Sequence, residues 1–323
     1  MKSSFKQLFR RIPAAVYIFV ALVVFAALRY DAFLNERNIL NVLRQSSVLA
    51  IASIGMTLVI SSGTIDLSLG MMLIMSGVIC VYTCRSLALT LVVITAVSII
   101  LGLMKGLIIT KVHLAPMITT LAFMFLLRGM VFILNGASST TLSNSSDSFN
   151  FVGKGSVGTI PFPVIVLLVI TLLFSVIMRH TTLGRHFYAS GGSEESAKMM
   201  GIRVDRSRII AQVLCTVCVG YAGVIMTSRL GAIAPLQGEE YESKAITACV
   251  LGGASLAGGS GSIIGTVIGA VILSLISNIF NLQGDIPTAW QKILSGGILI
   301  VIVIVQSDVL GQFFKRKFLK KGA

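Results

Sequence analysis

A carboxylate set between two long apolar runs is the most informative group in this chain. It is Asp66, in Ser62-Gly63-Thr64-Ile65-Asp66-Leu67-Ser68-Leu69-Gly70. A charge at the centre of a membrane helix costs about 2.5–3.5 kcal/mol on insertion scales. The cost falls if the acid caps a helix, accepting backbone N–H bonds at the positive end of the dipole. Asp66 therefore either caps the apolar segment that follows or lines a polar path through it. Other chemistry is thin. The run Gly252-Gly253-Ala254-Ser255-Leu256-Ala257-Gly258-Gly259-Ser260-Gly261 has no lysine and an apolar setting, so it does not read as a phosphate cradle. The three histidines, His113, His180 and His186, fall at the ends of apolar segments and read as surface residues. Cys215 and Cys218 form a C-x-x-C, but no second pair completes a zinc site. All five cysteines sit in apolar segments and read as packing residues. No catalytic constellation, metal site or bound cofactor is expected.

The segments that position these residues are hydrophobic. Of 323 residues, 55% are hydrophobic and 12% charged, whereas soluble domains carry about 25% charged residues. A membrane span needs about 20 apolar residues. Candidate spans are 13–30, 45–62, 66–84, 86–109, 114–134, 163–179, 208–229, 243–257, 261–280 and 287–306. The expected fold is all-α: a polytopic transmembrane helical protein of about ten spans, one domain over residues 1–323. The first run, Ala14 to Leu28, follows Lys2, Lys6, Arg10 and Arg11 without a small-x-small cleavage site, so it reads as a retained span. Segment 243–257 is short and glycine-rich, and reads either as a short span or as a broken, re-entrant one.

The net charge of +14 does not indicate nucleic acid, because the basic residues lie between apolar runs. With the N-terminus inside and all segments crossing, most Lys and Arg fall on the cytoplasmic side. They sit at the N-terminus, at Lys105 and Lys111, in the loop 180–207 and in the tail 313–323. Both termini are expected in the cytoplasm, and the Ser/Asn-rich loop 135–162 outside. The tail reads as an anchor on anionic lipid.

Within 180–207 a short helix is expected. Gly191 and Gly192 break the chain, Ser193 caps, Glu194 and Glu195 suit the first turn, and Gly201 stops the helix. Such a helix is either a partner's docking element or part of an ordinary solvated loop. Gly261, Gly265 and Gly269, spaced by four, leave one helix face open to a close neighbour, as do Gly102 and Gly106. Asn278, Asn281 and Gln283 either line a polar path or join helices. A shift of 195 residues aligns Gly63 with Gly258 and Gly70 with Gly265, a weak hint of duplication.

These motifs together resemble the permeases of the ribose/xylose/arabinose class of ATP-binding-cassette (ABC) importers, over roughly residues 40–305. Gly63, Asp66, Ser68 and Gly70 match the family's G-x-x-D-L-S-x-G. Pro116-Met117-Ile118-Thr119-Thr120-Leu121 with Arg128-Gly129 is similar to its P-x-x-x-T-L…R-G. The stretch from Thr182-Leu183-Gly184 through Ala189-Ser190-Gly191-Gly192 to Ala197 and Gly201-Ile202 resembles the loop that receives the ATPase. Ala248 to Ala270, with Gly252, Gly253, Gly258, Gly259, Gly261, Gly265 and Gly269, looks like its glycine signature.

The resemblance implies a type II importer-like permease in the inner membrane, not itself an enzyme. It would pass a monosaccharide or related small polyol. Its partners would be ABC ATPase subunits carrying ATP and Mg, a second permease, identical or not, and a periplasmic binding protein, all in contact with lipid as required. Gly191, Gly192, Ser193, Glu194, Glu195, Ala197 and Gly201 would couple to the ATPase, with the small Ala197 where two surfaces meet. Two positions depart from the family: Ser193 stands where Asn is usual, and Lys244 where an acid is frequent. The rival reading is an ion-coupled secondary transporter of a small polar solute, for which Asp66 is the one candidate coupling acid.

Overall fold

The computed structural model describes residues 14–284 and, after them, only Trp290, Ile293, Gly296, Gly297 and Ile300. The expected tenth span, apart from those five positions, and the tail lie outside the described residues. Over residues 14–284 twelve helices follow in order: α1 (Ala14–Arg29), α2 (Glu36–Ser61), α3 (Leu69–Thr83), α4 (Leu87–Lys111), α5 (Pro116–Asn135), α6 (Asp147–Lys154), α7 (Phe162–His180), α8 (Thr182–Gly192), α9 (Glu194–Met199), α10 (Val204–Leu230), α11 (Tyr241–Leu251) and α12 (Ile263–Gln283). Short side chains start several of them. Asn35 accepts from Arg37 N at 3.0 Å before α2, and Ser262 accepts from Gly265 N at 3.1 Å before α12. Pro116 opens α5 at a position where no backbone donor is needed.

Six of these helices, α2, α4, α5, α7, α10 and α12, are long and apolar enough to cross a membrane. Two shorter apolar helices, α1 and α3, accompany them, so the described residues do not reach the expected count of about ten spans, the tenth of which falls largely outside them. Apolar composition runs through the chain breaks, but helix does not. Residues 62–68 are non-helical, which leaves α3 at 15 residues, about 22 Å. The glycine-rich 252–262 is also non-helical, which leaves α11 at 11 residues, about 16 Å and short of a hydrocarbon core. The segment 243–257 is thus a half-helix followed by a turn.

The bundle is built around α2 and α10. Of the most apolar stretch of α2, 83% is buried, against 22% in α4 and in α7. The outer helices present residues such as Val92, Ile118, Leu126 and Leu172 outward, as lipid-facing surfaces do. The two ends of the bundle differ. At one end lie Lys111, Arg179, Arg185, Arg203, Arg206 and Arg208, together with α8 and α9; it is called the basic end for this cluster, although Arg29, Arg37, Arg44, Arg85, Lys154 and Arg229 lie toward the other. At the other, two short antiparallel ribbons close the loops: β1 (Thr140–Thr141) pairs with β4 (Ala232–Ile233), and β2 (Ser156–Val157) with β3 (Ile160–Pro161). Helix α6 packs there on α10, where Ser228 Oγ donates to Phe149 O at 2.6 Å and accepts from Gly153 N at 2.9 Å.

Candidate functional site

Three motifs far apart in sequence meet at the basic end. The C-terminus of α2, the C-terminus of α8 and the turn at 258–259 touch through backbone alone. A methyl group added at Gly63 would lie 3.1 Å from Gly191 Cα. One at Gly258 would lie 2.6 Å from Gly191 O, and one at Gly259 2.6 Å from Gly192 Cα. Gly259 N donates to Ser61 O at 3.3 Å. Gly63 and Gly258 have φ of +81° and +91°, a region where a side chain is strained. No side chain fits at this junction, so the three elements meet backbone to backbone. Gly63 and Gly258, one of the two pairs aligned by the 195-residue shift, meet here.

A buried polar layer lies beside the junction. Asp66 accepts from Ser68 N at 2.9 Å and Ser68 Oγ at 2.6 Å. It also forms an ion pair with Lys105 of α4, and both are 1% exposed. Lys105 donates to Ser68 Oγ at 3.1 Å as well. Asp66 thus braces the non-helical approach to α3 just ahead of its first turn, and its charge is met inside the protein. Gln212 of α10 reaches Thr64 at 3.4 Å in the same layer. Lys105 and Gln212 were not among the expected site residues. The signal for Lys105 was present: it stands inside the expected span 86–109, where a cation needs a counter-ion.

The connection to α10 differs from the expectation in one respect and agrees in others. Gly191 and Gly192 do not break the chain; they are the last residues of α8. Ser193 ends α8 and caps α9, accepting from Ser196 N at 3.2 Å. Gly201, with φ +79°, turns the chain after α9. Glu194 accepts from Lys198 at 2.6 Å and from Arg208 of α10 at 2.8 Å, which ties α9 to the bundle. The Lys198 hydrogen bond holds the Glu194 carboxyl below the usual carboxylate range, against the opposing effect of burial, and Arg208 adds to it. Because the folded pKa is lowered, the tie contributes fully above the ordinary carboxylate pKa and is lost as pH falls through the lowered one. Glu195 is exposed. Ala197 is 0% exposed, packed inside the chain, so it does not form the surface on which a partner would rest. The exposed apolar residues are its neighbours Met199 and Met200, at 81% and 68%.

The other expected residues are structural in their contacts. Gly265 and Gly269 of α12 lie against the backbone of Gly252 and Ala248, so α11 and α12 approach to backbone contact. Gly261 faces Ser61 and Thr57. Gly253, at φ +94°, turns the chain after α11. Gly70 faces Gly238 and Glu242 at the start of α3. Gly102 and Gly106 let α4 lie against α10, where added methyls would meet Val213 Cα at 2.6 Å and Ile209 Cα at 2.8 Å. Asn278 exchanges hydrogen bonds with Asn38 at 2.7 and 3.2 Å, and Gln283 accepts from Tyr30. Both join α12 to its neighbours, and Asn281 follows on the same helix. Arg128 pairs with Glu239 at 3.0 Å on a half-exposed surface. Lys244 lies 5.9 Å from the ring centre of Tyr241. No cluster that could hold a metal occurs among the described residues.

Comparison with known proteins gives this arrangement a setting. Residues 38–303 match the family described as branched-chain amino acid transport system / permease component. The ribose import permease protein RbsC of Escherichia coli (strain K12) is 36% identical over 280 residues, covering 85% of this chain and 87% of the relative. RbsC of Bacillus subtilis (strain 168) is 36% identical over 292 residues, covering 88% and 89%. The xylose transport system permease protein XylH of Haemophilus influenzae is 32% identical, covering 91% and 95%. No solved structure matches the chain.

Proposed function

We propose a sugar-import role on the premise that this chain belongs to the family of branched-chain amino acid transport system permease components. It is a multi-pass membrane protein and a permease subunit of an ABC importer, not an enzyme by itself. The observation that carries the substrate is the end-to-end similarity to ribose and xylose permeases. A monosaccharide or related small polyol is therefore the cargo. A neutral, hydroxyl-rich solute also suits a bundle in which the fully buried acid among the described residues, Asp66, is neutralised by Lys105.

In this reading the basic end faces the cytoplasm, in keeping with the positive-inside rule, and so do both termini. ATPase subunits holding ATP and Mg grip α9 there through Met199 and Met200. A binding protein delivers the sugar at the opposite end, and a second permease completes the path. Displacement of α8 and α9 reaches α2 and the 252–262 turn through the glycine junction, because no compressible side chain intervenes. Alternating access is then a shift between two arrangements of these elements.

The test is uptake of labelled ribose and xylose in cells lacking their own pentose importers. Expression of this chain with its ATPase and binding protein should restore uptake of one of them. Transport should stop on ATP depletion and persist when a protonophore collapses the ion gradient. Uptake that collapses with the gradient while ATP stays high would replace this reading with the ion-coupled one.

A further inference from the structure

Two cavities open side by side at the basic end, and Arg203 and Arg206 line both. The larger, about 520 Å³, lies between the end of α4 and the start of α10, with Lys111, His113 and Lys198 on its walls. The smaller, about 370 Å³, lies between α8 and the first turns of α10, with Thr182, His186 and Ser207. We propose that the smaller cavity binds a phosphate group, from the headgroup of an anionic phospholipid or from a soluble phosphate ester.

Three independent features point there. The first is uncompensated charge. The nearby acids are already engaged: Asp205 with Lys111 at 3.3 Å, and Glu194 with Lys198 and Arg208. Arg203 and Arg206 have no acidic partner among the described residues. A guanidinium matches phosphate oxygens with paired, charge-assisted hydrogen bonds. The second feature is the open end of α10. This helix is 27 residues long, and Arg203 at its N-cap supplies no side-chain acceptor. Its first turn carries Asp205, which turns to Lys111, and its dipole and first-turn N–H groups favour a further anion at that point. The third is Ser207. The residue lines the cavity and is 3% exposed, and its buried hydroxyl, next to the cavity wall, has no hydrogen-bond partner among the described residues. A buried hydroxyl normally finds a partner, and a phosphate oxygen would supply one.

The position favours a lipid as the source. The cavity sits where α7 has ended at His180, level with helix ends and so with headgroups. On the far side of the adjoining larger cavity, Leu107 of α4 and Val112 and Leu114 just beyond it are exposed, an apolar surface along which acyl chains can lie. Basic pockets between spans on the cytoplasmic side are suited to anionic headgroups.

The experiment is lipid retention by the full chain, purified in mild detergent and weighed intact by native mass spectrometry after addition of phosphatidylglycerol. Wild type should retain phosphatidylglycerol and not phosphatidylcholine. Arg203→Gln/Arg206→Gln should reduce retention roughly tenfold or more. Ser207→Ala, a milder change, should reduce it less, and Arg185→Gln on the exposed side of α8 should leave it unchanged. Thermal unfolding of each variant in detergent separates lost binding from lost fold, and should the double variant unfold, Ser207→Ala decides alone. Competition by millimolar inorganic phosphate would support the site and assign it to soluble esters; resistance would assign it to lipid. Equal retention by folded wild type and variants would overturn the proposal. So would a variant that retains lipid normally yet loses its ATPase, because the arginines would then serve a protein partner.

Discussion

Gly191 and Met199 sit on consecutive helices at the same end of the molecule, yet their surroundings are opposite. Gly191 lies where three backbone segments touch, with Gly63 and Gly258 against it and no side chain between them. Met199 stands on a single turn-and-a-half of helix, 81% exposed, attached to the bundle by the Glu194–Arg208 ion pair and by the buried methyl of Ala197. One region is fixed by the absence of side chains, the other presents side chains outward. A contact without side chains has no soft atoms to absorb a displacement, so it moves as a unit. A surface of flexible, polarizable methionines suits an interaction that is made and remade. The division predicts that changes near the junction act on folding, and that changes on α9 act on partnership.

The largest effect on folding is expected at the ion pair beside the junction. Lys105→Met leaves the Asp66 carboxylate buried and unpaired, which costs about 3–5 kcal/mol. Adding Asp66→Asn should recover most of that loss, because removal of both charges is close to neutral. Thermal unfolding of the purified single and double variants measures the recovery. A single variant as stable as wild type would mean the pair contributes nothing, and the layer beside the junction would not be the rigid region described.

Next in size is the close approach of α12 to α11. Gly265→Leu places a side chain against the Gly252 backbone, and overpacking costs roughly 1–3 kcal/mol. Loss of purified protein with normal insertion is the expected outcome. A stable, abundant variant would show that the half-helix yields, and the boundary between rigid and mobile parts would have to be redrawn around α11.

A smaller effect is expected at the opposite end. Asn278→Leu removes the exchange with Asn38, and interhelical hydrogen bonds in membranes average about 0.6 kcal/mol. Unfolding should shift by a degree or so, with sugar uptake intact. Loss of uptake at unchanged stability would instead return Asn278 to the lining of the path.

The sequence made some of this legible and hid the rest for identifiable reasons. Apolar runs such as 86–109 and 208–229 became α4 and α10, because length and hydropathy suffice where the helix is unbroken. They set the ends less well at α3 and α11, where composition stays apolar while the backbone is non-helical over 62–68 and from Gly252; at 243–257 the outcome is the broken reading that its glycines had left open. The spacing of Gly261, Gly265 and Gly269 marked a face for close approach, and that face meets α11 and the end of α2. The meeting of Gly63, Gly191 and Gly258 was not legible, since a contact between loops distant in sequence leaves no period. Asp66 was found because an acid in an apolar setting is conspicuous. Lys105 was counted as a topological charge, although six residues of helix separate it from the end of α4 at Lys111. Ala197 was read as a surface residue because a small residue suits close contact of either kind. Only burial distinguishes contact within the chain from contact with a partner.

The smallest effect on folding should accompany a large loss of function, and it isolates the exposed side of the comparison. Met199→Glu/Met200→Glu changes two side chains that touch little of the chain, so stability should stay within about 0.5 kcal/mol of wild type. If α9 is what the ATPase grips, two carboxylates on that apolar surface must be desolvated on docking, and unpaired buried charge is costly. Co-purification of the ATPase and sugar uptake should both fall sharply, while insertion and unfolding temperature hold. Met199→Leu/Met200→Leu keeps the apolar surface and should retain both activities. Ala197→Arg is the contrasting variant: it forces a long cation into a site with 0% exposure, so it should lower stability as well as uptake. A glutamate pair that binds its ATPase and transports normally would remove α9 from the coupling surface. The end of α4 around Lys111 and His113 would then be the next place to look.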